Sequence, residues 1–325
     1  MLATLGAVAV LLGAGIAVAT LLFVDFVHER GPLEPDNPTQ SAVPGDEATD
    51  LARRFAPVLR YDSLERFVPI PRAAYLSRTQ LKEQEGRFVR VLKQAVDEPG
   101  LPDSVGSCGV GCFLFLDVRG VEPDPPKHSE AAYDAIENKL LRDGAKPTVY
   151  YHVTRYDDTG DYAVQFWFLY FFNYRLNEHE SDWEQITLRL DEDKKPLGVF
   201  FSAHEGGNTT DWSKVETKDG HPVDYPGRGS HANYTEPGRH RVSVGCKRVL
   251  GSLKQCLRGR TILVDVSDGK GTELPPGSYD LAELTGPIFA GSYGSGNYIV
   301  LTRRADVLSD PRRRTAWLDP LRPFG

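Results

Sequence analysis

Residues 162–190 read YAVQFWFLYFFNYRLNEHESDWEQITLRL, and this stretch decides the fold. Its opening run, residues 163–172, carries no charge over ten residues, about half the length that a membrane-spanning helix requires. It is rich in aromatic side chains that suit a pleated surface, so it predicts a buried strand. Residues 183–190 predict a second strand. Its parity puts Asp182, Glu184, Ile186 and Leu188 on one face.

The same texture extends outward. Residues 148–154, 197–203, 261–266 and 297–302 are β-branched or aromatic runs separated by Gly, Asp and Pro turns, and residues 113–118 read as a further strand. Helical spacing is confined to the flanks. A short helix is expected over 47–55, ending before Pro57. Residues 73–92 read as partly helical, and 128–142 as a helix with Ala132, Ile136 and Leu140 on one stripe. No internal repeat is present. The reading is a mainly β protein, an antiparallel β-sandwich with peripheral helices occupying residues 47–325.

Composition narrows the function classes. With 38 Lys and Arg against 45 Asp and Glu, the net charge of -7 argues against nucleic acid as the main partner, because phosphate binding needs a net basic surface. A hydrophobic content of 40 % with 31 Gly and 23 Pro fits a folded, loop-rich chain rather than a disordered one.

Residues 2–24 hold no charged side chain, which is long enough to cross a hydrocarbon core. No Lys or Arg precedes this run, and Leu21-Leu22-Phe23-Val24 continues it past the small residues Ala17-Val18-Ala19. An uncleaved signal anchor over 1–26 is therefore preferred to a cleaved peptide. Residues 27–46, rich in Pro and polar groups, read as a linker. Charges flanking the run nearly cancel, so orientation rests on the cysteines. Cys108 and Cys112 share a tight loop, and Cys246 and Cys256 flank a short basic segment. Local disulfides fit that spacing better than free thiols or a zinc knuckle. They place the body outside the cytoplasm, on a single-pass membrane protein.

The densest polar cluster runs from Asn177 to Glu184. Asp182 and Glu184 lie on the face that turns apolar at Ile186, at the mouth of the core. Two carboxylates there repel each other and lose hydration unless a cation or donors compensate. If 191–196 is a loop pairing 190 with 197, residue 183 pairs with 204 and His204 returns beside them. His179 enters the same edge, and His231 can reach it. This set suits a hard-to-borderline divalent ion, Mg, Ca, Mn or Zn. The competing reading leaves these groups merely hydrogen-bonded at an exposed edge.

Three ordered motifs, His179-x-x-Asp182-Trp183-Glu184, Ser202-Ala203-His204-Glu205-Gly206-Gly207 and Gly229-Ser230-His231-Ala232, resemble two related families. One is the vacuolar protein sorting-associated protein 62 family. The other is the necrosis-inducing cytolysins of plant pathogens, with their Gly-His-x-His-Asp-Trp-Glu heptad. Phe55–Arg60 with Glu65 and Pro69, Gln165–Tyr170 with Asn173 and, more loosely, Phe289–Gly294 resemble further segments of the first. The cytolysin resemblance implies a β-sandwich with Mg or Ca in an acidic cavity, held directly or through water at positions matching His179, Asp182 and Glu184. Here Glu178 replaces the heptad's Gly and Ser181 its second His. Asn173 or Asn177 stands where the cytolysins place an earlier Asp.

Three functions remain open at this level. The preferred one is a membrane-anchored, extracytoplasmic domain whose cation site binds a polar ligand such as a glycan or a lipid headgroup. A metal-dependent hydrolase would use Glu184 or His204 as general base on a bound water. A structural cell-envelope protein would use the cluster only to staple strands. No Gly-x-Ser-x-Gly elbow is present. The glycines after Phe289 read as a turn, and Arg312-Arg313-Arg314 as a solvated tail.

Overall fold

The computed structural model describes residues 40–104, 112–121, 129–175, 178–204, 206–243, 262–295 and 308–325. The described residues open with β1 (Gln40–Ala42), α1 (Gly45–Phe55), β2 (Val58–Arg60) and α2 (Arg72–Ser77). A hairpin of β3 (Thr79–Glu85) and β4 (Phe88–Lys93) follows, then β5 (Cys112–Val118) and α3 (Glu130–Arg142). The centre is β6 (Thr148–Tyr156), β7 (Tyr162–Asn173), β8 (His179–Leu190), β9 (Pro196–Ala203) and β10 (Gly206–Asp211). Beyond these lie β11 (Thr217–Lys218), β12 (His221–Asp224), β13 (Gly238–Ser243) and β14 (Ile262–Ser267). The last elements are β15 (Glu273–Leu274), β16 (Asp280–Glu283) and α4 (Thr315–Leu318).

The protein is mainly β, with several antiparallel sheets. The principal one has seven strands in the order β1-β6-β7-β8-β9-β10, with β16 added parallel to β6. Smaller sheets have the orders β11-β12-β2-β15, β4-β3-β5 and β13-β14. All twelve residues of β7 are buried. An uncharged aromatic run loses nothing by giving up water on both faces, so it takes the central position. On one side Phe172 stacks on Tyr133 of α3, with ring centroids 4.1 Å apart and planes at 11°. Phe67 meets Phe172 edge-on at 6.3 Å.

The expected pairing of β8 with β9 is found where the ladder is regular. Ile186 faces Phe201, Thr187 faces Phe200, Leu188 faces Val199 and Arg189 faces Gly198, before a bulge shifts Leu190 onto Pro196. The chain after Phe289 is a seam between β5 and β8. Ser292 exchanges backbone hydrogen bonds with Leu114 and Leu116, and the amide of Glu180 donates to the Ser295 carbonyl at 2.8 Å. A Cβ on Gly291 or Gly294 would collide with the carbonyl oxygens of Leu114 and Glu180, so this close approach requires glycine at both.

Several expectations need correction. The end of the stretch read as linker is ordered, since Gln40–Ala42 pairs with β6. Residues 73–92 are helical only to Ser77. The remainder is the β3–β4 hairpin, whose Gln, Lys and Glu content resembles a helix but whose two-residue turn has Gly86 at φ 58°. The buried face of α3 holds Tyr133 and Glu137 rather than Ala132. Glu137 is tolerated there because its carboxylate accepts the Val68 amide at 2.9 Å. Arg312 is buried, not solvated, and holds Asp310 through Nε and Nη2, both at 2.8 Å. Residues 297–302, expected as a strand, lie outside the described residues. So does the apolar run 2–24, and among the described residues no helix is long and apolar enough to cross a membrane. Of the cysteines only Cys112 is described, and it is not a free thiol. Cys108, Cys246 and Cys256 lie outside the described residues.

Candidate functional site

The site forms where β8 opens. In the β7–β8 ladder Asp182 faces Tyr170 and His179 faces Asn173. Between them Ser181 adopts a left-handed backbone, φ 54°, a conformation that non-glycine residues hold only when their surroundings over-determine it. In an unbroken strand Glu180 would share a face with Asp182. Instead their carboxylates part. Glu180 accepts from the Tyr133 hydroxyl at 2.8 Å, the Val118 amide at 3.0 Å and Ser295 at 3.2 Å. Asp182 turns to the other cluster.

There, one Asp182 oxygen (Oδ2) meets the Asn173 amide nitrogen at 2.9 Å and His231 Nδ1 at 2.9 Å. His231 is fully buried, and its ring lies flat on Tyr170, 3.9 Å between centroids at 7°. Its Nε2 points to Glu65, 3.7 Å from Oε1. Burial alone would drive this imidazole neutral, but Glu65 and then Asp182 reverse that and raise it to about 10. His231 is therefore an imidazolium between two buried carboxylates. Glu65 is held below the usual carboxylate range despite burial, by His231 and by the amides of Phe67 and Gly229.

Glu184 is half-buried at the mouth. Its carboxylate accepts the Ser202 hydroxyl at 2.5 Å. That hydroxyl is itself held by the Gln185 amide at 3.1 Å and by Asn233 at 3.0 Å. Burial, and then the neighbouring Asp182 charge, push the Glu184 carboxyl well above its ordinary value. His179 is fully buried, and its Nδ1 lies 2.6 Å from the Ser181 carbonyl oxygen. An imidazole nitrogen facing a carbonyl must donate, so the neutral ring carries its lone pair on Nε2. Burial lowers the His179 value and favours that neutral form.

His204 goes elsewhere. Regular pairing ends at Ile186–Phe201, and His204, at φ 55°, turns its Nε2 to Asp265 Oδ2 at 2.7 Å. The same oxygen accepts from Ser230 at 2.9 Å and Tyr234 at 2.8 Å. Burial raises the Asp265 carboxyl, but His204, Tyr234 and Ser230 outweigh it and hold it below the usual range. The structure thus brings Asn173 and His231 to Asp182, leaves Glu184 adjacent on Ser202, and takes His204 to a separate cluster. Asn177 lies outside the described residues. Among the described residues no group of three or more His, Cys, Asp or Glu side chains is placed so that it could hold a metal ion.

Sequence reasoning missed Glu65, Ser202 as a donor, and Asp265. Asp265 carried a signal: one carboxylate within the apolar run Ile262-Leu263-Val264-Asp265-Val266 has to be compensated. Glu65 stood in the segment that resembles the first family's opening, but nothing there pointed to His231, 166 positions along the chain.

Comparison with known proteins follows this geometry. Residues 157–268, which hold all three ordered motifs, match the model of the family described as vacuolar protein sorting-associated protein 62. Over the segment that carries the site, the chain resembles that family. No curated protein matches it. Solved structures similar to it include NLPPya in complex with mannosamine, at 17 % identity and a TM-score of 0.33, covering 64 % of this chain and 74 % of that one. Necrosis and ethylene inducing protein 2, from the causal agent of cocoa's witches' broom disease, is 13 % identical with a TM-score of 0.32, covering 76 % of each chain.

Proposed function

We propose that the protein is a membrane-anchored, extracytoplasmic β-sandwich that takes a divalent cation between Asp182 and Glu184 and uses it to bind a polar ligand, a glycan or a lipid headgroup. The observation that carries this reading is Glu184. Its carboxyl is pushed up by burial and by Asp182, and its direct partner is the neutral Ser202 hydroxyl. A doubly charged ion would relieve that repulsion. The two carboxylates suit Mg or Ca; a neutral imidazole in His179, whose Nδ1 is already committed, would favour Zn or Mn, and would have to move to join them. His204, engaged with Asp265, takes no part. The ion would bridge ligand oxygens. Anchoring is assigned to the apolar run 2–24, and the extracytoplasmic setting to the cysteines.

Metal analysis of the full-length chain tests this, with wild type beside Glu184→Gln. One equivalent of ion is expected in the wild type and none in the variant, with melting temperature in chelator about unchanged, because the amide replaces a carboxyl that burial already keeps neutral. A wild-type chain that holds no ion and does not shift in melting temperature with Mg or Ca sinks the proposal.

The raised Glu184 value also fixes a pH dependence. A cation must displace the proton that burial keeps on this carboxyl, so apparent affinity rises with pH above the ordinary carboxylate range, near 4.5. Calorimetry in two buffers of different ionisation enthalpy should record proton release on binding. Binding without proton exchange contradicts the assignment to Glu184.

A second reading has its own observation. The His231 imidazolium already compensates Asp182, which is what a purely structural cluster requires. Metal-free wild type of undiminished stability is the result that favours it.

A further inference from the structure

Exposed apolar side chains are concentrated on one strand. Among the described residues, the large hydrophobic side chains left in solvent are Leu64, Phe88, Val89, Val91, Leu92, Leu197 and Ile288, so four of seven belong to β4. Phe88, beside the hairpin turn, is 76 % exposed. All six residues of β4 are exposed, whereas Thr79, Leu81 and Glu83 of its partner β3 are buried. With the order β4-β3-β5, β4 is an edge, and among the described residues no strand faces its outer row of backbone groups. Basic side chains are interleaved with the apolar ones as Arg87, Arg90 and Lys93. Residues 82–93 hold four Lys and Arg against two Glu, a local excess of two positive charges in a chain of net charge -7.

A long, exposed, apolar edge is normally suppressed because it invites pairing, so this one is expected to have an occupant. We propose that the β3–β4 hairpin docks on an anionic lipid surface. Phe88, Val89, Val91 and Leu92 enter the interfacial layer, and Arg87, Arg90 and Lys93 meet the headgroup charges. Bare side chains on both faces of the strand suit a fluid medium that surrounds it. A peptide partner would instead find pockets for alternate side chains, and β4 offers no buried wall. A second copy paired along six residues would bury far less than the roughly 1,200 Å² that stable interfaces need. The unpaired edge groups keep the strand at headgroup depth, because hydrocarbon would leave them unsatisfied. The charge pattern adds attraction: Arg90 and Lys93 meet Glu83 and Asp97 at 2.7 and 2.8 Å, but their own side chains stay exposed and within reach of headgroup charges. This inference is independent of the cation site and shares with the proposed function only the membrane setting.

The test uses the full chain with vesicles of phosphatidylcholine, alone or mixed with phosphatidylserine, containing lipids brominated near the headgroup. Phe88→Trp places an indole at the hairpin tip, read against wild type and against Leu197→Trp on β9. Expected are extra quenching for Phe88→Trp only, requiring phosphatidylserine and lost in high salt, and an about fivefold weaker partitioning when Arg87→Ser is added. No extra quenching in either vesicle overturns the proposal. So does equal quenching of Leu197→Trp, which would reflect tethering alone, or a signal that follows protein rather than lipid concentration, which would mark a second copy. A chain that fails to attach to phosphatidylcholine vesicles counts against the anchor, while the hairpin result is still read on the mixed ones.

Discussion

Replacing His231 with alanine is expected to lower stability by about 3–5 kcal/mol, the cost of stranding buried carboxylates without their counter-charge. Asp182 would keep Asn173 as a donor and Glu65 the amides of Phe67 and Gly229, with no cation between them. The ring's flat contact with Tyr170 goes as well. The pH dependence identifies the mechanism. His231 is raised from 6.5 to about 10 in the folded state. Its contribution is therefore fully present below 6.5 and is lost as pH rises through 10. Denaturant titrations of wild type and variant should differ most near pH 6 and converge towards pH 10. A pH-independent gap would mean that packing, not charge, is what the ring supplies. A loss below about 1 kcal/mol would place the pair among weak surface bridges and refute the buried-imidazolium account.

Phe172→Ala should cost a similar amount, about 3–5 kcal/mol, through lost burial and the cavity left behind. Phe172 is fully buried in the central strand, stacked on Tyr133 and edge-on to Phe67. Its removal frees Tyr133, whose hydroxyl donates to Glu180 at 2.8 Å. The loss should thus exceed that of a volume-conserving Phe172→Leu change, usually below about 1.5 kcal/mol. The measure is a fall in denaturant midpoint with unchanged slope. Equal losses for both variants would show that the surroundings collapse around the vacancy.

What could be read in advance followed local periodicity. The aromatic run of β7, the alternation of β8 and the length of the 191–196 loop were enough to set the Ile186–Phe201 register. They also put His231 within reach of the edge that holds Asp182, whereas Asn173 came into view only through the family resemblance. The reading failed where a single backbone torsion redirects a side chain. Ser181, His204 and His231 all lie at positive φ. His204 and His231 are held by partners distant in sequence, Asp265 and Asp182, and Ser181 by the His179 ring folded back on its carbonyl, so no pattern in the strand announces the turn. His204 was expected beside Asp182 because regular pairing was extrapolated three residues beyond its end. The β3–β4 hairpin failed for a different reason. Thr79, Leu81 and Glu83 face inward, and only one of them is apolar, so no hydrophobic alternation competes with the helix-forming Gln, Lys and Glu.

Ser230 and His231 are consecutive, yet one serves Asp265 and the other Asp182. A single peptide unit therefore yokes two acids from different sheets. A change at either acid tugs the same short tether, so an Asp265→Asn variant should displace the His231 ring from Asp182.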